Sequence, residues 1–405
     1  MRKAENAMQS FDPNARGPLD GVRVLDMSRL VAGNMTTHVL ADYGADVIKI
    51  ERPGAGDDLR NWRCAEQEIY WKVYSRNKRS FTADLKTEEG RRDLIALVGM
   101  ADVLVENFLP GTLETFGLGV DALHDLNPRL VILRISGWGQ TGPYRMRPGF
   151  GSLVEAMSGW AYLNGHADRP PTLPPLAMAD MIAGLYGVGA ILTALRAVEV
   201  GERMGQVIDL SLFEPILSTI AAEAAQYKLT GTPTMRAGNQ STHTAPRNVY
   251  ECADGAYVAM SGSMQSMAMR ILDTIGRPEL KEDPKFATNA ARLENQDELD
   301  EIIGAFIRQR TQAQNLELFE AAGVTVGPVC SIADLVDHPY VLGREALVEL
   351  PDSDMGSIPM HNIIPRMNGT PGAFRRPAPK LGEHNEEIAR ELSAHRRRGE
   401  GGHAR

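Results

Sequence analysis

The chain predicts an α/β protein: a parallel-sheet domain joined to a smaller α+β domain. Three observations lead there. Short β-branched apolar runs alternate with helical patterns from Leu19 onward, 405 residues exceed what one compact core usually holds, and the pattern changes beyond Leu229. Strands that read as continuous apolar runs separated by helices belong to sheets covered on both faces.

The elements follow in order. In LDGVRVLDMSRLVAGNMTTHVLADYGADVIKIER, the runs Val22 to Leu25 and Val47 to Ile50 flank a helical pattern of Met35, Val39 and Leu40, which is a β-α-β unit. A helix from Glu88 to Met100, the strand ADVLVEN, a helix from Val120 to Asp125 and the strand PRLVILRISG continue the alternation. A long apolar helix runs from Asp180 to Val200, followed by the strand QVIDLSLF and a helical stretch to Ala225. In GTPTMRAGNQSTHTAPRNVYECADGAYVAM turn residues cluster and the runs shorten, so residues 1–228 form the first part of the large domain and the small domain begins at 229. A charge-patterned helical segment spans Met267 to Ala322. The strand GPVCS then opens a return to the large domain over residues 327–405, which ends in an amphipathic helix from Glu386 to Ser393 and a disordered tail, HRRRGEGGHAR.

Composition excludes several functions. A formal charge of -9 argues against non-specific binding to nucleic acid or an anionic membrane. The longest uncharged run, Met181 to Leu195, is shorter than the roughly 20 residues of a membrane span and reads as a buried helix. The N-terminus has scattered acids and no apolar centre, so it is no secretory leader, and a cytoplasmic protein is expected. Cys64, Cys252 and Cys330 are far apart and read as inert buried thiols; without C-x-x-C or H-E-x-x-H, no metal site is expected. G-x-S-x-G and the P-loop pattern are absent, and the one fit to G-x-G-x-x-A, at Gly117, Gly119 and Ala122, follows no strand.

What remains is carboxylate chemistry. Pro171, Pro174 and Pro175 deny helix upstream of Asp180, so this carboxylate lies at a helix N-terminus. An aspartate there serves as an N-cap or as a reacting group beside free backbone donors, and local sequence leaves both readings open. Lys49, Arg52, Arg60, Arg63, Arg76, Lys78 and Arg79 gather near strand ends, interleaved with Trp62, Trp71 and Tyr74. Each alone reads as a solvated side chain; together they suit a phosphorylated ligand with an aromatic component.

Nine ordered segments carry a resemblance: GVRVLDMSRLVAG, LADYGADVIKIERPGAGD, NKRSFTADLKTEEG, ADVLVENFLPGTLETFGLG, NPRLVILRISGWGQTGPY, AMADMIAGLYGVGAILTAL, GQVIDLSLFEPI, GPVCSIADL and APKLGEHNEEI. They resemble the class III CoA-transferases of the CaiB/BaiF type, the family of formyl-CoA:oxalate and carnitine-type CoA-transferases. The resemblance implies a Rossmann-like large domain and a small domain, with two chains interlocked as an intertwined homodimer. It also implies that Asp180 is the catalytic residue and that acyl-CoA and a small carboxylic acid are the substrates, with neither ATP nor metal required. The carboxylate attacks the thioester to give an aspartyl-acyl anhydride, which CoA thiolate converts into an aspartyl-CoA thioester. The resemblance further implies CoA contacts at Leu30, Val31, Ala32, Arg52, Ala83, Asn107, Phe108, Thr115 and Phe116. Backbone at Gly137 and Gly139, with Phe150 beside it, is the expected oxyanion and substrate loop.

Departures from the family pattern narrow the substrate. Val31 stands where formyl-CoA:oxalate CoA-transferase has a glutamine and Thr115 where it has an arginine, while Phe150 and Gly151 replace its aromatic-acidic pair. Ser261, Gly262 and Ser263 only echo a glycine-rich lid, so oxalate is not the expected acceptor. Arg145, Arg147, His38 and Asn34 are candidate donors to a second carboxylate, which favours dicarboxylates with succinyl-CoA as donor. Two other readings stay open. An α-methylacyl-CoA racemase needs a histidine base where this chain has Phe150, and an acyl-CoA-binding partner subunit has no use for Asp180.

Overall fold

The structure, a computed structural model, describes residues 7–201 and 204–401. Its contacts divide the chain into two units: residues 1–158, 174–220 and 339–405, and residues 159–173 and 221–338. The sequence had set the boundaries at 228/229 and 326/327.

Six strands form the sheet of the first unit: β1 (Arg23–Asp26), β2 (Asp46–Glu51), β3 (Arg79–Thr82), β4 (Val103–Glu106), β5 (Val131–Ser136) and β6 (Val207–Ser211). Their order is β3-β2-β1-β4-β5-β6 and every neighbouring pair is parallel. The order reverses between β1 and β4, and the loops leaving their carboxyl ends therefore flank a crevice where ligands bind in doubly wound sheets. Strand β3 escaped the sequence reading because RSFT holds one apolar residue. Its Arg79 is buried in ion pairs with Asp46, Glu387 and Glu391.

The helices that bear on the site and its packing include α1 (Ala32–Asp42), α2 (Glu88–Val98), α3 (Val120–Leu126), α4 (Gly151–Met157), α5 (Met178–Gly201) and α6 (Phe213–Ser218). One core packs Leu25, Ile48, Leu104 and Ile132 of the sheet against Leu94 and Leu97 of α2, Leu123 of α3 and Ile388 of the C-terminal helix. That last helix, Asn385–Gly401, runs beyond the expected end at Ser393. It continues because Arg396 reaches Asp93 on α2 at 2.7 Å, so the expected disorder does not begin at His395; residues 402–405 lie outside the described residues. Two antiparallel strands, Leu347–Asp352 and Gly356–His361, lie in the return segment, where no strand after GPVCS was expected.

Helix α5 has 24 residues, long and apolar enough to cross a membrane by length and composition. It is not buried all round, as the sequence suggested. Ala183, Gly184, Gly187, Ile191 and Ala194 face inward, whereas Leu185, Tyr186 and Leu192 are exposed. The inward face packs on α1 through glycines. A methyl group at Gly184 would meet Ala32 O and Met35 Cβ at 2.8 Å, and one at Gly187 would meet Thr36 Oγ1 at 2.8 Å. Thr36 Oγ1 also donates to Gly184 O at 2.9 Å, which fixes the register of the two helices.

The second unit has an antiparallel sheet, β7 (Arg247–Glu251), β8 (Tyr257–Ser261) and β9 (Val326–Pro328), with β8 central. Strand β9 holds the first two residues of the run GPVCS, Gly327 and Pro328, which complete this sheet, and the return to the first unit begins at Pro339. Helices α7 (Gln265–Thr274), α8 (Gln296–Ile307) and α9 (Gln312–Ala321) cover a core that includes Val258, Ile271, Leu299, Ile303 and Phe319. The segment Ser261 to Ser263 lies at the end of β8, its two serine hydroxyls 2.9 Å apart.

The glycine contact between α1 and α5 yields a first prediction. Gly184→Ala sets a methyl group against atoms that cannot rotate away, so it lowers stability by about 1–3 kcal/mol, read as a fall in the urea unfolding midpoint.

Candidate active site

Asp180 is the third residue of α5, in its first turn, so the cap reading gives way to a carboxylate inside the helix start. It is half-buried and lines a cleft of about 200 Å³ with Arg29, Leu30, Ala32, Asp58, Asn107, Ser136, Gly137, Gly149 and Phe150, among others. Apart from Asp180 on α5 and Ala32 at the start of α1, these residues come from the carboxyl end of β5 and from the loops after β1, β2, β4 and β5, the carboxyl-end positions around the reversal in strand order.

Backbone contacts shape the walls. A methyl group on Gly137 would lie 2.6 Å from Gly149 Cα, so the two glycines let the loop after β5 fold back on itself. A methyl group on Gly151 would overlap Asp180 Oδ2 and would lie 3.7 Å from Glu155 Oε1. Only glycine at 151 leaves the Asp180 carboxylate its place. Glu155, a wholly buried acid on α4, accepts the Ala179 N–H at 3.0 Å. Burial first, and the Glu155 charge second, push the Asp180 pKa up from 3.8 to about 6.

A second cleft, of about 260 Å³, is lined by Arg52, Ala83, Phe108 and Phe116 together with Arg29, Lys86 and Thr112. The expected CoA contacts thus fall into two groups: Leu30, Ala32 and Asn107 beside Asp180, and Arg52, Ala83, Phe108 and Phe116 next door. Arg29 lines both clefts. Val31 lines neither, being buried at the entry to α1, and Thr115 is an exposed residue turned to Thr112 O. Of the expected substrate loop, Gly137 and Phe150 line the cleft; Gly139 does not, and instead faces Asp209, which accepts the Gln140 N–H.

Arg29 was not singled out from the sequence, although it precedes Leu30 at the end of the first strand. Its N–H donates to Asn107 Oδ1 at 2.8 Å and its carbonyl accepts from Asn107 Nδ2 at 2.7 Å, stitching the loops after β1 and β4 together. Its guanidinium is half exposed, 3.5 Å from Asp58. Leu30 next to it has φ 61°, a left-handed backbone costly for a side-chain-bearing residue. Asp57 holds it there, accepting the Leu30 N–H at 2.9 Å.

The basic cluster departs most from the sequence reading. Lys49, Lys78, Arg60, Arg76 and Arg79 are neither solvated nor free for phosphate; they are buried against internal acids. Lys49 lies 3.1 Å from Asp26 and 2.8 Å from Asp57, Lys78 lies 3.1 Å from Asp26, Arg60 grips Glu51 and Arg76 grips Asp42. Burial opposes the charge on Lys49, but Asp26 and Asp57 outweigh it and hold its pKa above the ordinary value. Lys78, buried beside Lys49, is pushed down to about 8. Trp71 is buried under Arg60. Only Arg52 and Arg63 of the seven stay open to solvent.

The candidate donors to a second carboxylate are also displaced. Asn34 is buried and bonded to Asp57 and Lys78. His38 is buried among Tyr74, His361 and Asp42, its pKa held well below the usual value by burial and by Arg76. Neither lines either cleft described above. Arg147 stacks on Tyr144 at 3.7 Å, and it and Arg145 are exposed outside the Asp180 cleft. Cys64 is exposed and Cys330 half-buried; only Cys252 matches the expected buried thiol. Among the described residues, no three His, Cys, Asp or Glu side chains converge as metal ligands would.

A parallel doubly wound sheet with a carboxylate cleft at its carboxyl edge defines an α/β enzyme class, and comparison with known proteins narrows it. The model of CoA-transferase family III matches residues 19–385, and the chain belongs to this family. It is 40% identical over 380 residues to a succinyl-CoA–D-citramalate CoA-transferase of Chloroflexus aurantiacus, which spans 93% of this chain and 94% of that one. It is 36% identical over 390 residues to a succinate–glutarate CoA-transferase of Agrobacterium fabrum, 94% of this chain and 97% of the relative. Among solved structures, a CAIB/BAIF family protein from Brucella suis superposes with a TM-score of 0.82 at 34% identity, covering 93% of this chain and all of the other.

The raised pKa of Asp180 makes stability depend on pH. The folded protein holds this proton more tightly than the unfolded chain does, so the associated stability is fully present below the ordinary 3.8 and is lost as pH rises through about 6. Asp180→Asn removes the loss. Its stability advantage over wild type is absent at acid pH and grows through about pH 6 to a plateau of about 1–3 kcal/mol, measured by denaturant titration across pH.

Proposed function

We propose that the chain moves CoA from succinyl-CoA to a second dicarboxylic acid through covalent intermediates on Asp180. The observation that carries this reading is the Asp180 carboxylate, destabilised by burial, in a cleft walled by glycine backbone and bearing one open guanidinium, Arg29. An Asp180 oxygen attacks the thioester carbonyl; the C–S bond breaks and CoA leaves as thiolate, giving the mixed anhydride. The thiolate attacks Asp180 Cγ, the bond from Cγ to the anhydride oxygen breaks, and succinate departs. The acceptor carboxylate runs the same steps in reverse. Backbone at Gly137 and Gly149, which lines the cleft with Asp180, donates to the developing oxyanions in this reading.

CoA lies along the adjacent cleft in this reading, over Phe108 and Phe116, with Arg52 and Lys86 near its phosphates. Arg29, at the junction, pairs with the remote carboxylate of each acid in turn. Relatives named for succinyl-CoA with D-citramalate and for succinate with glutarate support a dicarboxylate pair. The first unit binds CoA, and the exposed apolar flank of α5 suits burial in an interlocked homodimer. A cytoplasmic setting is part of the same reading.

Two outcomes are expected. Incubation with succinyl-CoA followed by hydroxylamine gives a hydroxamate that intact-mass and peptide mapping assign to Asp180, and Asp180→Ala gives none; a wild type that stays unmodified with every acyl-CoA favours a binding subunit. Arg29→Gln raises KM for succinyl-CoA about tenfold or more while leaving a monocarboxylyl donor such as butyryl-CoA within about threefold, as loss of one charge-assisted contact requires.

A further inference from the structure

Glu155 has no part in the reaction just described, yet it faces the same gap at Gly151 as the reacting acid. It is wholly buried on α4, it makes no ion pair among the described residues, and its one hydrogen bond accepts Ala179 N–H in the first turn of α5. An α-helix start favours a negative charge beside it. Glu155 Oε1 and Asp180 Oδ2 both face the position where Gly151 lacks a side chain, no more than about 6 Å apart. The other charged groups at this cleft are Arg29 and Asp58, which face each other across 3.5 Å; Glu214 on the neighbouring α6 is occupied by the Ser211 hydroxyl.

We propose that Glu155 is a positioning residue whose buried charge repels the free Asp180 carboxylate and thereby favours its conversion into the uncharged aspartyl-CoA thioester. The inference rests on Asp180 being the nucleophile. The charge balance gives its logic. At the start one negative charge sits on Asp180; after both bond exchanges Asp180 is a neutral thioester and the charge has left with succinate. Every other charge is unchanged, so the repulsion from Glu155 acts on the resting enzyme and vanishes in the intermediate. A more basic carboxylate is also the better nucleophile, so the same repulsion speeds the first attack. The raised pKa of Asp180, caused by burial and then by Glu155, agrees with this geometry. A merely structural Glu155 would act only as the acceptor for Ala179 N–H, a task that a glutamine oxygen performs equally well.

Glu155→Gln separates the two roles, since it keeps the acceptor and removes the charge. The full-length protein is equilibrated with succinyl-CoA and succinate at fixed ratios, and the fraction carrying CoA on Asp180 is read by intact mass. The thioester-to-free ratio is expected to fall about threefold to tenfold in the variant, and the acid limb of the rate against pH to move down by about half to one unit. An unchanged ratio and an unchanged acid limb, with CoA on Asp180 in both proteins, overturn the role of Glu155 and leave the nucleophile standing. A wild type that never carries CoA on Asp180 overturns both. Should the variant not fold, the titration of Asp180 in the wild type, followed by carboxyl carbon NMR and assigned with Asp180→Asn, decides the matter: a midpoint near the ordinary 3.8 overturns the inference.

Discussion

One buried ammonium holds the ligand-binding edge of the sheet in shape. Lys49 projects from β2 with no exposure to water and joins Asp26 at the end of β1, Asp57 in the following loop and the carbonyl of Ser28 at 2.5 Å. Burying such a charge is costly, and the cost is offset only because each acid is itself fully engaged: Asp26 by Lys78, Ser28 and Thr37, Asp57 by Asn34 and the N–H groups of Leu30 and Leu59. Removing any member strands a partner in low dielectric. The network therefore acts less as a source of stability than as a fixture that permits one arrangement of the loop from Met27 to Leu30, left-handed Leu30 included.

From that fixture the site is assembled in two moves. The loop enters α1, and α1 receives α5 through Gly184 and Gly187, so the start of α5, with Asp180 in its first turn, is delivered to the mouth of the β1 loop. Asn107 then clamps the loop after β4 onto Arg29 from the other side of the reversal in strand order. The reacting acid and the guanidinium that share the cleft, Asp180 and Arg29, thus come from segments 151 positions apart in the chain, each positioned by backbone contacts.

The sequence disclosed the sheet to the extent that its strands were apolar. Val47 to Ile50 and the runs around Val103 and Val131 were legible, while RSFT was not, because its burial is achieved by pairing Arg79 with acids on β2 and on the last helix. The same reason explains the misread cations. Lysine and arginine report exposure by default, and their partners here lie as far along the chain as Glu391 from Arg79, a separation that no local pattern encodes. The position of Asp180 at a helix start followed from the prolines before it. Glu155 left a faint signal, a lone acid among the apolar residues of GSLVEAMSG; Arg29 left none beyond its place after a strand.

A cleft in which one guanidinium serves one reacting carboxylate has a consequence for how such an enzyme can diverge. In the proposed reaction donor and acceptor acids occupy the same volume at different times, and Arg29 meets both. Selectivity for the two cannot be adjusted separately: any substitution that admits a new acceptor also admits the matching thioester as a donor. Descent with change at this cleft would move in pairs of acids, and net flux would be set by the relative abundance of the acids and their thioesters, with the protein itself holding no preference of direction.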